Sequence, residues 1–217
     1  MMALSSYFVT PSPRHSSEMD SWVLKAMERW PNVPALFGWL GLDHRGRWLI
    51  QGEAITHPRI VETINRNYAH DEFGRWYFQN GPQRGYIELE YAPYVLRRDS
   101  EGFVTHSGLR VERPTQAILD EVGTLSLCTE HGLGEVYGGD LDWVLDRLSV
   151  HDAALNEEDV AELLDLPSDS DTDAILALGH ERLPVVRVNA GELPETFGFE
   201  RHPQPREGEK FATRAPD

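Results

Sequence analysis

Apolar positions along the chain change their period several times, and each change marks a predicted element. From Ser17 onward, Met19, Trp22, Val23, Ala26 and Trp30 recur at helical spacing, which predicts a helix ended by Pro31 and Pro34. Leu36 to Leu42 and Arg47 to Ile50 then read as the strands of a hairpin joined by Asp43-His-Arg-Gly46. Aspartate at the first turn position accepts backbone hydrogen bonds, and glycine at the fourth tolerates the left-handed region. A second helix follows, with Thr56 as cap, Pro58 in its first turn and Ile60, Val61, Ile64 and Tyr68 as its apolar stripe. A second hairpin sets Arg75 to Gln79 against Arg84 to Tyr91 around the corner Asn80-Gly-Pro-Gln83. Ile87, Leu89 and Tyr91 alternate with Tyr86, Glu88 and Glu90, the period of a half-buried antiparallel strand.

Further along, Phe103 to His106, Gly108 to Glu112, Leu125 to Thr129 and the region of Val136 read as short extended pieces between turns. Asp140 is expected to cap a third helix carrying Leu141, Val144, Leu145 and Leu148. Asn156-Glu-Glu-Asp159 resembles a capping box opening a fourth helix that stops at Pro167. Ser168-Asp-Ser-Asp-Thr-Asp173 reads as an acidic linker before a short helix to His180, and Leu183 to Val188 as an apolar strand.

One pattern recurs. Asp43-His-Arg-Gly-Arg-Trp-Leu-Ile-Gln51 and Asp71-Glu-Phe-Gly-Arg-Trp-Tyr-Phe-Gln79 share D-x-x-G-R-W-x-x-Q at an offset of 28 residues, and Asp99-Ser-Glu-Gly102 repeats D-x-x-G after another 28. The fold class expected is therefore α+β, with antiparallel hairpins and helices in repeated units and a small helical C-terminal segment. The division expected is a disordered N-terminus over 1–18, a first α+β unit over 19–98 and a second over 99–150. A helical extension with one strand follows over 151–200, then a disordered, charged and proline-rich tail over 201–217.

Composition narrows the function classes. The 217 residues are 40% hydrophobic, enough for a real core, and carry a formal net charge of −16. That charge disfavours nucleic acid and anionic membrane surfaces as partners. No apolar run approaches the roughly 20 residues of a membrane span, and the first residues lack a basic start, so a cytoplasmic location is expected. Lysine occurs only at 25 and 210, so the positive charge is almost all arginine, the side chain that grips carboxylates and phosphates bidentately. The single cysteine, Cys128, has apolar flanks and reads as a buried strand thiol.

No cofactor or metal is expected. Asp169, Asp171 and Asp173 have the spacing of a calcium loop, but the sixth position is Ala174 and the twelfth His180, where that loop needs glycine and glutamate. Gly132-Leu-Gly-Glu-Val-Tyr-Gly-Gly139 lacks the lysine and hydroxyl of a phosphate loop, and the nine histidines show no zinc-hydrolase spacing. There is no G-x-S-x-G elbow. The densest polar chemistry lies where the second helix ends and the second hairpin turns: Asn65, Arg66, Arg75, Tyr77, Gln79, Asn80, Gln83 and Arg84. These could converge on a polar or anionic ligand by amide and guanidinium hydrogen bonds. They could equally satisfy turns and strand faces of the protein itself.

The order Gly46-Arg-Trp-Leu-Ile-Gln-Gly-Glu-Ala-Ile55, a helix, Asp71-Glu-Phe-Gly-Arg-Trp-Tyr-Phe78, then Ile87-Glu-Leu-Glu-Tyr-Ala-Pro-Tyr-Val95, resembles a proteobacterial family of small proteins known only as a domain of unknown function. The likeness spans about residues 38 to 150. It departs at Glu53-Ala54, where the family has threonine-proline, and in the segment from about 151. The resemblance implies an α+β fold with internal repeats and a signalling or regulatory role, and it carries over no catalytic residue. The function expected is a noncatalytic module binding a small polar or anionic ligand or a protein partner. The alternative is an enzyme of unidentified class acting on a polar metabolite. An assembly role is a third reading, if Trp22, Trp30 and Trp39 leave an apolar patch. The sequence sets no oligomeric state.

Overall fold

The computed structural model describes residues 33–100 and 102–213, together with Ser21 and Lys25. The expected N-terminal disorder and most of the first predicted helix lie outside these residues. The fold mixes α and β, as expected, but strands dominate. Two compact units emerge among the described residues, one running from Tyr94 to Phe197, the other uniting those up to Pro93 with those from Gly198 onward. The break thus falls at Pro93–Tyr94, and the C-terminal segment returns to the earlier unit.

In that unit the strands are β1 (Ala35–Leu42), β2 (Trp48–Ile50), β3 (Glu53–Ala54), β4 (Tyr68–His70), β5 (Trp76–Asn80) and β6 (Gln83–Leu89), with helix α1 (Pro58–Arg66) between β3 and β4. They form one sheet in the order β3-β2-β1-β6-β5-β4. β1 and β2 are the predicted first hairpin, antiparallel from Leu40 opposite Ile50 to Leu42 opposite Trp48. The join of β1 to β6 is parallel, a crossover that β2, β3, α1, β4 and β5 span in sequence. The side of β6 predicted to be wet is so at Glu88 and Glu90, but Tyr86 on that side is as buried as Ile87 and Leu89. β4 is unforeseen. Tyr68, assigned to the helix stripe, sits opposite Phe78 as a strand residue. The helix cap is His57 rather than Thr56, without a side-chain bond, and Pro58 opens the helix as expected. The core here is aromatic: Trp48, Tyr68 and Trp76 pack in series with centroids 4.9 and 4.8 Å apart, and Phe37 stacks on Tyr86 at 4.4 Å.

The tail expected to be disordered is ordered up to Thr213. Its last strand, here β7 (Phe211–Thr213), pairs in parallel with β1 from Ala35 to Phe37. The physical reason is the ion pair that Glu209 makes with the buried Arg75.

The other unit holds a ten-stranded sheet. Its middle strands are Gln116–Leu119, Leu125–Thr129, Gly132–Val136, Tyr94–Arg98 and Glu181–Arg187, around a core that includes Leu96, Ile118, Leu127, Leu176 and Val185. The predicted acidic linker and helix up to His180 are instead one strand, Ser170–Leu178. Ala174, Leu176 and Leu178 are buried in alternation, the period of two that the run of aspartates masks. The capping box is real: Asn156 accepts from the Glu158 and Asp159 amides while Asp159 accepts from the Asn156 amide, opening the helix Glu157–Asp165. The Asp140 helix is short, Leu141–Leu145, and the Asp140 carboxylate receives the Arg98 amide instead of capping it. Among the described residues no helix is long and apolar enough to cross a membrane.

The expectation of repeated units narrows to a repeated loop. In the Asp43 and Asp71 hairpins the glycine amide bonds to the aspartate carbonyl at 2.9 and 3.1 Å, and Gly46 and Gly74 take φ of 71° and 77°. The same loop closes at Asp120–Gly123, and again at Thr105–Gly108 with threonine in place of aspartate. What recurs is a turn solution, used in both units within different strand orders.

Candidate functional site

The second D-x-x-G loop is where the polar stretch acquires its geometry. Asp71 Oδ1 accepts the amides of Phe73 and Arg75 at 3.0 and 3.1 Å, and its Oδ2 accepts Arg75 Nε at 2.8 Å. The aspartate that shapes the turn therefore also aims the arginine. Arg75 is 1% exposed, and all of its N–H donors are used. Beyond Asp71, Nη1 donates to the Gln204 carbonyl at 3.0 Å and to Glu209 Oε2 at 2.9 Å. Nη2 donates to Tyr86 Oη at 3.0 Å and to Glu209 Oε1 at 2.6 Å. The guanidinium lies 4.6 Å from the Tyr86 ring centroid and 5.4 Å from that of Phe73.

Electrostatics follow from this cage. The hydrogen bond to Glu209 raises the Arg75 pKa, outweighing the opposing effect of burial. The Arg75 guanidinium holds the Glu209 carboxyl down at about 2. Burial pushes the Tyr86 and Tyr77 phenols up, partly offset by Arg84. A fork-to-fork pair of this kind fixes chain geometry strongly. Here it fixes the C-terminal segment onto the loop. The Glu200 amide donates to the Gly74 carbonyl at 3.0 Å, and a Cβ on Gly74 would clash with the Gly198 carbonyl oxygen.

The other predicted residues are distributed rather than convergent. Asn65 Oδ1 accepts the Trp48 indole N–H at 2.7 Å, joining α1 to the first hairpin. Arg66 pairs with Glu62 along the exposed face of α1. Gln79, 1% exposed, donates to the Gly81 carbonyl at 2.9 Å and accepts Arg84 Nε at 3.2 Å, while Arg84 stacks 4.4 Å over the Tyr77 ring. Gln83 donates to the Pro34 carbonyl at 3.1 Å, and Asn80 is exposed at the corner opposite Gln83. Tyr77, Gln79 and Arg84 are thus close neighbours on β5 and β6, with Arg75 just before β5. Asn65 and Arg66 are elsewhere.

Sequence reasoning missed Glu209, the strongest partner of Arg75. It lies 134 positions away in a segment whose charge and prolines read as disorder. It also missed a concave surface beside β1, a cavity of about 260 Å³ lined by Trp39, Leu40 and Leu49 with Glu88, Glu90 and His202. The Glu88 carboxylate meets the His202 ring Nδ1 at 2.7 Å, and Glu90 accepts the His44 amide at 3.0 Å. Among the described residues no three His, Cys, Asp or Glu side chains form a group able to hold a metal ion. Cys128 is a strand thiol whose pKa burial raises to about 12.

A family model described as "Protein of unknown function (DUF2946)" matches residues 19–204. No curated protein matches the chain. Among solved structures it is similar to a DUF1285 family protein from Silicibacter pomeroyi DSS-3, at 16% identity and a TM-score of 0.47, covering 82% of this chain and 94% of that one. It is also similar to a DUF1285 family protein from Shewanella baltica OS155, at 13% identity and a TM-score of 0.39, covering 49% and 90%. The expected kinship with a family of unknown function is met by the family match.

Proposed function

The chain belongs to this family of proteins of unknown function, and from that premise we propose a noncatalytic binding module with a regulatory role that engages a protein partner through its exposed surface. One observation carries the reading. The polar side chains that could have enclosed an anionic metabolite are engaged by the protein itself: Arg75 and Gln79 bond to its own loop, strands and C-terminal segment, and Arg84 is held by Gln79 through Nε and lies over the Tyr77 ring. The cavity beside β1, at about 260 Å³, is smaller than the roughly 300–1,000 Å³ of sites that enclose small molecules. Its size suits one side chain of a partner. A cytoplasmic location, and partners other than nucleic acid or membrane, belong to the same proposal.

A thermal-shift screen of metabolites, nucleotides and metal ions, run beside a peptide-display selection on the immobilised chain, tests it. The reading expects an enriched peptide consensus and no saturable metabolite shift. A saturable shift of several degrees that Arg84→Ala or Gln79→Ala removes, with no peptide consensus, would overturn it in favour of an enclosed small-molecule site.

A further inference from the structure

The two copies of the D-x-x-G-R-W loop are built alike but differ in what covers them. Asp43 Oδ1 accepts the Arg45 and Arg47 amides at 3.0 and 2.8 Å, and its Oδ2 accepts Arg47 Nε at 2.7 Å. Each bond has its counterpart in the Asp71 loop. In the second copy two groups point outward from this frame and are occupied. The Arg75 Nη edge holds the Glu209 carboxylate, and the Gly74 carbonyl takes the Glu200 amide. An extended segment carrying a carboxylate is thereby seated on the loop. In the first copy the arginine fork reaches solvent. The Arg47 side chain is 51% exposed against 2% for Arg75. Among the described residues nothing bonds to the Arg47 Nη atoms or to the Gly46 carbonyl.

We propose that the Asp43–Trp48 loop is a docking site for an extended acidic segment of a partner protein, held as the chain's own tail is held on the second copy. A partner carboxylate would sit on the Nη edge of Arg47, and a neighbouring partner amide would donate to the Gly46 carbonyl. Asp43, 5% exposed, keeps Nε engaged and so orients the free edge of the guanidinium. The occupant's chemistry follows from the second copy, where the Nη edge of the aspartate-held arginine takes both oxygens of one carboxylate. The first copy lacks the aromatic sandwich of the second, since Arg45 stands where Phe73 does. Docking is therefore expected to be weak, salt-sensitive and reversible. This inference rests on the reading of the chain as a protein-binding module and names the chemistry of the segment it would take.

The test uses the full chain and two kinds of probe. One is a synthetic peptide with the sequence of residues 198–213, the segment already seen on a loop of this design; the other is the consensus from the display selection. Titrations followed by backbone amide shifts are expected to perturb Asp43 to Trp48, with affinity at least tenfold weaker for Arg47→Ala and for a peptide carrying Gln in place of Glu209. Arg47→Lys should recover only part of the loss, because lysine cannot offer the bidentate fork. Unchanged melting of the variants would show that the fold is intact. Peptide shifts centred on Asp71 to Trp76, equal binding by Arg47→Ala, or a consensus without acidic residues would each overturn the proposal. The last would still leave the binding-module reading standing, whereas a saturable metabolite shift with no consensus would remove both.

Discussion

Arg75 shows how a side chain that looks like a ligand anchor becomes a fold anchor. Its five N–H groups are matched by five hydrogen bonds, and two carboxylates, Asp71 and Glu209, balance its charge out of water. Removing it leaves Asp71, at 8% side-chain exposure, without its cation. Arg75→Met is expected to cost about 3–5 kcal/mol in denaturant unfolding. The Glu209 partner gives the same pair a pH signature. Its folded pKa lies near 2, below the ordinary value of 4.5, so the stabilisation it contributes is complete above about pH 4.5 and is lost as pH falls toward 2. Glu209→Gln should be less stable than the parent by about 2 kcal/mol at pH 7. The difference should shrink steadily between pH 4.5 and pH 2 in acid-unfolding curves. A difference that did not change over that window would mean the carboxylate is not the source of the effect.

At the scale of elements, the loop explains what the sequence could and could not reveal. The D-x-x-G turns at Asp43 and Asp71 were legible because aspartate and glycine at those positions are demanded by the backbone itself: one accepts two amides, the other adopts a positive φ. The strands beside them, β1, β2 and β5, were legible as short apolar and aromatic runs flanking those turns. Ser170–Leu178 was not, because its outward positions are aspartates that imitate a linker. Nor was β6 as a parallel neighbour of β1, since local pattern does not encode which strands meet. Of the site, the residues near Asp71 were legible as unusual, but their purpose depended on Glu209, which only the folded chain brings near. The loops also predict contrasting costs for the same change. Gly123→Ala meets open space and should cost about 1–2 kcal/mol for its backbone conformation alone. Gly74→Ala has that cost and a clash with the Gly198 backbone as well, so its melting temperature should fall further and amide exchange in the tail should rise with it.

For the whole molecule, the return of Gly198–Thr213 to the earlier unit makes that unit discontinuous in sequence. Truncation after Phe197 removes Glu209 from Arg75, Glu200 from Gly74 and β7 from β1. Hydrogen exchange should accelerate in β1, β4, β5 and β6 of the truncated chain while Gln116–Leu119 and Leu125–Thr129 retain their protection. The same architecture separates the two kinds of polar chemistry in the chain. Around Arg75 it closes the fold, and around Arg47 an equivalent frame is left facing outward. The measurement that bears most directly on the binding-module account is therefore amide shift mapping of the full-length chain, titrated first with the metabolite panel and then with acidic peptides. The account predicts saturable peptide shifts on the exposed Asp43–Trp48 loop and none from metabolites. Saturable metabolite shifts centred on Arg75, Gln79 and Arg84 would contradict it.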